Sequence, residues 1–146
     1  MLTEKQTIYN NLEPKIHEKI FEEVADTAPV LDIACGEGRL SALIASKVGC
    51  KVYGVDISIS HLAKAREKAE AQGISRLVLF AVGDAQKLCF LNESFSAAII
   101  LYSLHEIQHL PHALEEALRV LKVGRKFIVV DPGVCLDMGK NPTILF

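Results

Sequence analysis

No C-x-x-C pair occurs in this sequence. Cys35, Cys50, Cys89 and Cys135 are widely scattered, so neither a zinc site nor a redox pair is indicated, and four thiols in a reducing cytosol is the plain reading. Long hydrophobic runs are missing too. No apolar stretch reaches the length of a membrane span, and Met1-Leu2-Thr3-Glu4-Lys5 carries no signal-peptide pattern. A cytoplasmic location without a membrane partner is expected. Positive charge is not in excess. The formal net charge is −2, which argues against an extended basic face for nucleic acid. There is no internal repeat and no low-complexity tract. What remains is an ordinary globular composition, 50% hydrophobic over 146 residues, enough for one domain with a core of its own. The expectation is a single unit over residues 1–146, with an N-terminal helix at about 12–25, a core at 29–132 and a short tail at 133–146.

What is present is organised around residues 30–41, Val-Leu-Asp-Ile-Ala-Cys-Gly-Glu-Gly-Arg-Leu-Ser. Val30, Leu31 and Ile33 form the short apolar run of a central parallel strand. Gly36 and Gly38 permit a tight turn and let backbone N–H groups approach a ligand with no Cβ in the way. A helix from about Arg39 then aims its positive dipole end at that ligand. Strand, glycine turn and helix in this order make a nucleotide-binding device. Asp32 lies inside the end of the strand, beneath the turn. A pyrophosphate gains nothing from a carboxylate there, whereas a ligand with an amino group and a sulfonium does.

The rest of the chain alternates. Residues 1–11 are polar and read as loosely held. Pro14 suits a first helical turn, with Ile16, Ile20 and Val24 at helical spacing behind it. Leu40, Leu43, Ile44 and Val48 mark a helix closed by Gly49. Residues 51–55 form a second strand ending at Asp56. Ser58 or Ser60 caps a third helix with Leu62, Ala65 and Ala69 inward. Residues 77–82 form a third strand, broken at Gly83-Asp84-Ala85. Residues 96–102 form a fourth, almost wholly apolar and therefore central. Pro111 begins a helix with Leu114, Ala117, Leu118 and Leu121 on one face. Gly124 lies in the turn to a last strand at 126–130. Such alternation implies right-handed crossovers and an α/β, Rossmann-like, doubly wound parallel sheet of order 3-2-1-4-5. Ligands bind at the carboxyl ends of such strands, where Asp32, Asp56, Asp84 and Tyr102 all fall.

Each acid has a bland reading on its own. Asp56 can be a turn aspartate and Asp84 a helix cap. Three acids ending three successive strands are much harder to ascribe to chance. The glycine turn also lacks the third glycine of a dinucleotide fingerprint, since Ser41 stands there, and Glu37 adds negative charge where a pyrophosphate would lie. An NAD(P)-dependent oxidoreductase is therefore the least favoured of three readings. His105, His109 and His112 fall at i, i+4 and i+7, but Pro111 interrupts any continuous helix, so exposed histidines are expected and no metal site.

At these residues the chain resembles the class I S-adenosylmethionine (SAM)-dependent methyltransferases. Their first motif is hydrophobic–hydrophobic–acid–x–Gly–x–Gly–x–Gly. Asp32 is the acid, Gly36 and Gly38 are the second and third glycines, and Ala34 replaces the first. The resemblance implies that Asp56, in Val55-Asp56-Ile57-Ser58, binds the SAM ribose and that Ile57 lies against the adenine. It implies that Asp84 accepts from the adenine amino group while the Ala85 N–H faces a ring nitrogen. It implies that Tyr102 to His105 borders the transferred methyl group, with His105 as a base or an orienter of the acceptor. Cys35 is read as a small packing residue of the cofactor turn, although a helix N-terminus can make a thiol reactive. Asn-Pro-Pro-Tyr, the mark of amino-group methylation of adenine or glutamine, is absent.

The implied function is methyl transfer from SAM, leaving S-adenosylhomocysteine, to a small-molecule acceptor. The alternative is a non-catalytic SAM-binding module or a subunit beside a partner that completes the acceptor site. Family members continue with a helix and two more strands, for which the tail is too short, so the sheet is expected to lack the usual last two strands. Residues 126–130 would then be an edge. Three outcomes stay open: the apolar tail covers that edge, two chains pair there as a homodimer, or the chain is a fragment.

Overall fold

A computed structural model of the chain describes residues 1–131. The tail expected at 133–146, and every expectation about its packing, lies outside the described residues. The elements run α1 (Glu4–Val24), β1 (Val30–Ile33), α2 (Arg39–Val48), β2 (Val52–Asp56), α3 (Ile59–Ala71), β3 (Val78–Val82), β4 (Phe95–Leu101), a 3₁₀ helix (Leu104–Glu106), α4 (Leu110–Val120) and β5 (Leu121–Val130). All pairings between neighbouring strands are parallel, and the order is β3-β2-β1-β4-β5. The α/β doubly wound sheet expected from the alternation is the one observed.

Two cores cover the two faces, as a parallel sheet requires. On one, Ile20 and Val24 of α1 and Ile44 of α2 pack on Val30, Val52, Ile99, Ile128 and Val130. On the other, Ala113, Ala117 and Val120 of α4 pack on Leu31, Ile33, Ile100, Phe127 and Val129. The alternation of β5 between the two cores leaves residues 127–130 no more than 3% exposed. The apolar run at 127–130 is thus covered, and the exposed apolar side chain of β5 is Val123.

Two element starts and one buried face depart from the sequence expectation. The first helix begins at Glu4, not near residue 12, so Pro14 lies inside it. The start is set by a capping box: the Thr3 hydroxyl accepts from the Gln6 N–H, and the Gln6 side chain accepts from the Thr3 N–H. The last strand begins at Leu121, not Lys126. Leu121 pairs with Phe95, the register then shifts, and pairing resumes at Ala97 with Lys126. Gly124, at φ 73°, sits within that irregular stretch. The buried face of α4 is Ala113, Ala117 and Val120, while Leu118 is half exposed. The expected stripe was therefore rotated, because small residues let α4 lie close to the sheet.

Candidate functional site

The switch point between β1 and β4 opens two hollows at the carboxyl ends of the strands. The larger, about 510 Å³, is lined by Gly36 after β1, Asp56 and Ile57 after β2, Asp84 and Ala85 after β3, and Ser103 and Glu106 after β4, among others. The smaller, about 180 Å³, is lined by Asp32, Cys35, Leu101 and Tyr102, with Glu13 and His17 of α1 forming a wall. Ala34 lines both and so marks their junction.

The turn after β1 explains this shape. Ala34 has φ 57° and Gly36 φ 54°, both in the left-handed region where a side chain costs energy. Nothing lies within 4 Å of where a Gly36 Cβ would stand, so that glycine keeps the cleft wall open. Gly38 serves another purpose. A Cβ there would lie 2.6 Å from Phe80 Cζ and 3.0 Å from Ala65 Cβ. It lets α2 start hard against β3 and α3, which makes it a packing glycine behind the turn.

Asp56 organises the larger hollow. Its Oδ2 accepts from the Gly36 N–H and its Oδ1 from the Ser58 N–H, both at 2.8 Å. One carboxylate thereby ties the turn after β1 to the N-terminus of α3. An ionised carboxylate has roughly four acceptor sites, so two backbone donors leave it able to accept from a ligand. Ser58 is the N-cap of α3 and accepts from the His61 N–H. Ile57 is 73% exposed, an apolar wall with nothing yet against it. Asp84 accepts at Oδ1 from the Gln86 backbone and side chain, at 2.9 and 3.2 Å. This fixes the turn that carries Ala85.

Asp32 sits in the floor of the smaller hollow, 2% exposed, with the Ser41 hydroxyl donating to its Oδ2 at 2.6 Å. Burial pushes its carboxyl up to about 7, against the hydrogen bond from Ser41, and the Asp56 charge adds to the rise. Burial likewise pushes the Cys35 thiol well above its usual range, and both neighbouring carboxylates add to that. Cys35 is a half-buried packing residue; the helix N-terminus does not activate it. Glu37 lines the same hollow and is paired with Lys64 and Lys68 of α3, which hold its carboxyl down at about 2.

Tyr102 lines the smaller hollow and Ser103 the larger, whereas His105 lines neither. It stands at the rim, 3.9 Å from Glu106, which does line the larger hollow. The sequence reading assigned no role to Glu13, His17, Arg39, Glu106, Ile107 or Gln108. Arg39 donates to Glu13 at 2.7 Å and thereby joins α2 to α1. The i, i+4 pair Glu13 and His17 was the one local signal for that wall; the pairing with Arg39 needs the fold. Among the described residues no group of three potential metal ligands gathers, and no helix is long and apolar enough to cross a membrane.

Residues 30–124 match the family model described as a methyltransferase domain. The chain is 32% identical to the 2-phytyl-1,4-naphtoquinone methyltransferase of Nostoc punctiforme, over 90% of this chain and 65% of that protein. It is 35% identical to the PH0226 protein of Pyrococcus horikoshii OT3, whose crystal structure superposes with a TM-score of 0.73 over 88% of this chain and 58% of that one. It is 29% identical to the [4+2]-cyclase SpnF, with a TM-score of 0.71 over 75% of this chain and 41% of that chain. The chain thus spans less than two thirds of the length of each.

Proposed function

The chain belongs to the class I SAM-dependent methyltransferases, and from that premise we propose that it transfers the methyl group of SAM to a small-molecule acceptor. The observation that carries the reading is the placement of three acids around two joined hollows. Asp56 and Asp84 line the larger one and Asp32 the smaller. The donor set fits the cofactor. Asp56 offers acceptor capacity to a ribose diol, Ile57 an apolar surface to a purine, and Asp84 with the Ala85 N–H an acceptor and a donor to its edge. Asp32, buried in the floor of the smaller hollow, offers a carboxylate to an ammonium group whose charge would offset the cost of that burial, while Tyr102, Cys35 and Ala34 wall the same space. Gly36 and Ser58 shape the cleft around Asp56, and Gly38 holds the turn in place from behind.

When bound, SAM supplies a methyl group activated by its sulfonium. The residues of this chain contribute position: effective alignment of two reactants is worth several kcal/mol, roughly 7–11 at best. His105 at the rim is the candidate base. A quinone-like or other hydrophobic small molecule is the acceptor class suggested by the named relative. A cytoplasmic location accords with the free thiols of Cys35, Cys50 and Cys89. A second reading, SAM binding without methyl transfer, is favoured by the likeness to a protein named for cyclisation. Incubation with methyl-labelled SAM and fractionated metabolite pools separates the two. Label on an acceptor is expected; SAM binding with no label in any fraction supports the second reading.

A further inference from the structure

The ends of β4 and β5 carry a pair of residues that cofactor binding does not use. Asp131 follows the last residue of β5 and its side chain is 2% exposed. Its Oδ2 accepts from the His105 backbone N–H at 3.3 Å and stands 2.8 Å from His105 Nδ1. One buried oxygen thus fixes both the backbone and the ring of His105. The 3₁₀ helix that carries His105 is itself pinned by Leu104, 1% exposed. A carboxylate oxygen can only accept, so in neutral His105 the proton sits on Nδ1 and the lone pair on Nε2. Nε2 points away from Asp131, on a side chain 54% exposed, and lies 3.9 Å from Glu106 Oε1. Glu106 and Ser103, on either side of His105 in sequence, both line the larger hollow.

Resting on the methyl-transfer reading above, we propose that Asp131 positions His105 as the proton acceptor for an acceptor molecule that reacts through a hydroxyl group. An alcohol, phenol or enol is almost fully protonated at neutral pH; a phenol such as tyrosine titrates near 10, whereas a thiol titrates near 8.5. A built-in base therefore serves a hydroxyl more than a thiol. As the acceptor forms its bond to the methyl carbon, the methyl–sulfur bond breaks and its electron pair stays on sulfur. The hydroxyl proton passes to His105 Nε2, and Asp131 stabilises the resulting imidazolium through Nδ1–H. The proton is then lost to solvent. Among the described residues two charged groups face the ring: Asp131 from the end of β5 and Glu106 from the ring's own helix. Both favour the protonated imidazole, Asp131 more, while burial opposes them.

The first measurement needs no cofactor. In ¹⁵N spectra of the imidazoles, His105 should be the Nδ1–H tautomer when neutral and should titrate above the ordinary histidine range. Asp131→Asn should bring that titration back down. The Nε2–H tautomer, or a titration that Asp131→Asn leaves unchanged, overturns the pairing. The second measurement uses SAM with 1-naphthol and thiophenol as probes. His105→Gln should lower kcat on 1-naphthol about a hundredfold and Asp131→Asn about tenfold or more. The Kd for SAM should stay within about twofold, and thiophenol turnover should change much less. Equal losses on both probes, or no methylation of 1-naphthol by protein that binds SAM, overturns the acceptor class. Failure to bind SAM sinks the methyl-transfer reading instead, and the imidazole spectra still decide the pair.

Discussion

A buried acid with no counter-ion among the described residues is the residue on which stability and function pull apart. The Asp32 carboxyl is raised to about 7 in the folded chain, against roughly 3.9 in an unfolded one. Between those values the folded chain holds a proton that the unfolded chain has lost. The contribution of Asp32 to stability is therefore full below about pH 4, falls through that window, and is absent above about pH 7. Asp32→Asn keeps an acceptor for Ser41 and carries no charge. It should stabilise the cofactor-free chain by about 1–3 kcal/mol at pH 8 and by little at pH 4.5, as read from urea unfolding. The same substitution should weaken SAM binding, and wild-type affinity should fall as the pH drops below about 7. A variant less stable than wild type at pH 8 would remove the charge argument. Ala34 gives a second test. Its φ of 57° costs an L-residue about 1–2 kcal/mol, offset in part by the entropy a glycine loses. Ala34→Gly should raise stability by about 0.5–1 kcal/mol in the same assay. The sequence already marked this position, since a glycine is usual there. It did not reveal that Gly36 and Gly38 do different work, because that depends on Phe80, forty-two residues beyond Gly38.

At the scale of elements, the segment between β3 and β4 has no regular structure of its own, and α4 holds it. Arg119 donates to the carbonyls of Phe90 and Leu88, to the Asn92 side chain and to Glu116, and Glu116 accepts from the Leu88 N–H. This planar fork cannot be copied by an ammonium. Arg119→Lys should cost about 1–3 kcal/mol. It should also speed hydrogen exchange at the Leu88 amide more than at amides of β1; equal acceleration everywhere would mean global loss instead. Periodicity revealed the strands and most helices, because their apolar spacing is local. It missed the true start of α1, since the capping pair Thr3 and Gln6 precedes the apolar stripe and sits in a polar stretch. It rotated the face of α4, since Ala113 and Ala117 carry little hydrophobic signal although both are fully buried.

For the molecule as a whole, the fold was legible and the acceptor side was not. The order of the sheet follows from alternation and handedness, and the acids at its strand ends follow from the order. The wall that α1 gives the smaller hollow depends on Arg39 of α2 meeting Glu13 across the fold, which no local pattern encodes. The proposed pairing of two chains at β5 belongs to this scale. β5 is the last strand of the described sheet; its residues 127–130 are covered, whereas residues 122–126 are exposed, so a pairing there can use backbone and side chains such as Val123. Sedimentation across a wide concentration range tests it: two paired chains give a dimer, a tail folded back over the edge gives a monomer, and a monomer at every concentration would refute the pairing.

The central claim is that the strand ends hold SAM, with Asp56 at the hub of the larger hollow. Isothermal titration calorimetry of the wild-type chain and Asp56→Ala, each shown to be folded at the working temperature, tests it with SAM, S-adenosylhomocysteine and NAD. Saturable binding of SAM and S-adenosylhomocysteine, none of NAD, and a loss of about 1–3 kcal/mol in the variant are predicted. NAD binding tighter than SAM, or an unchanged SAM affinity in folded Asp56→Ala, would contradict it.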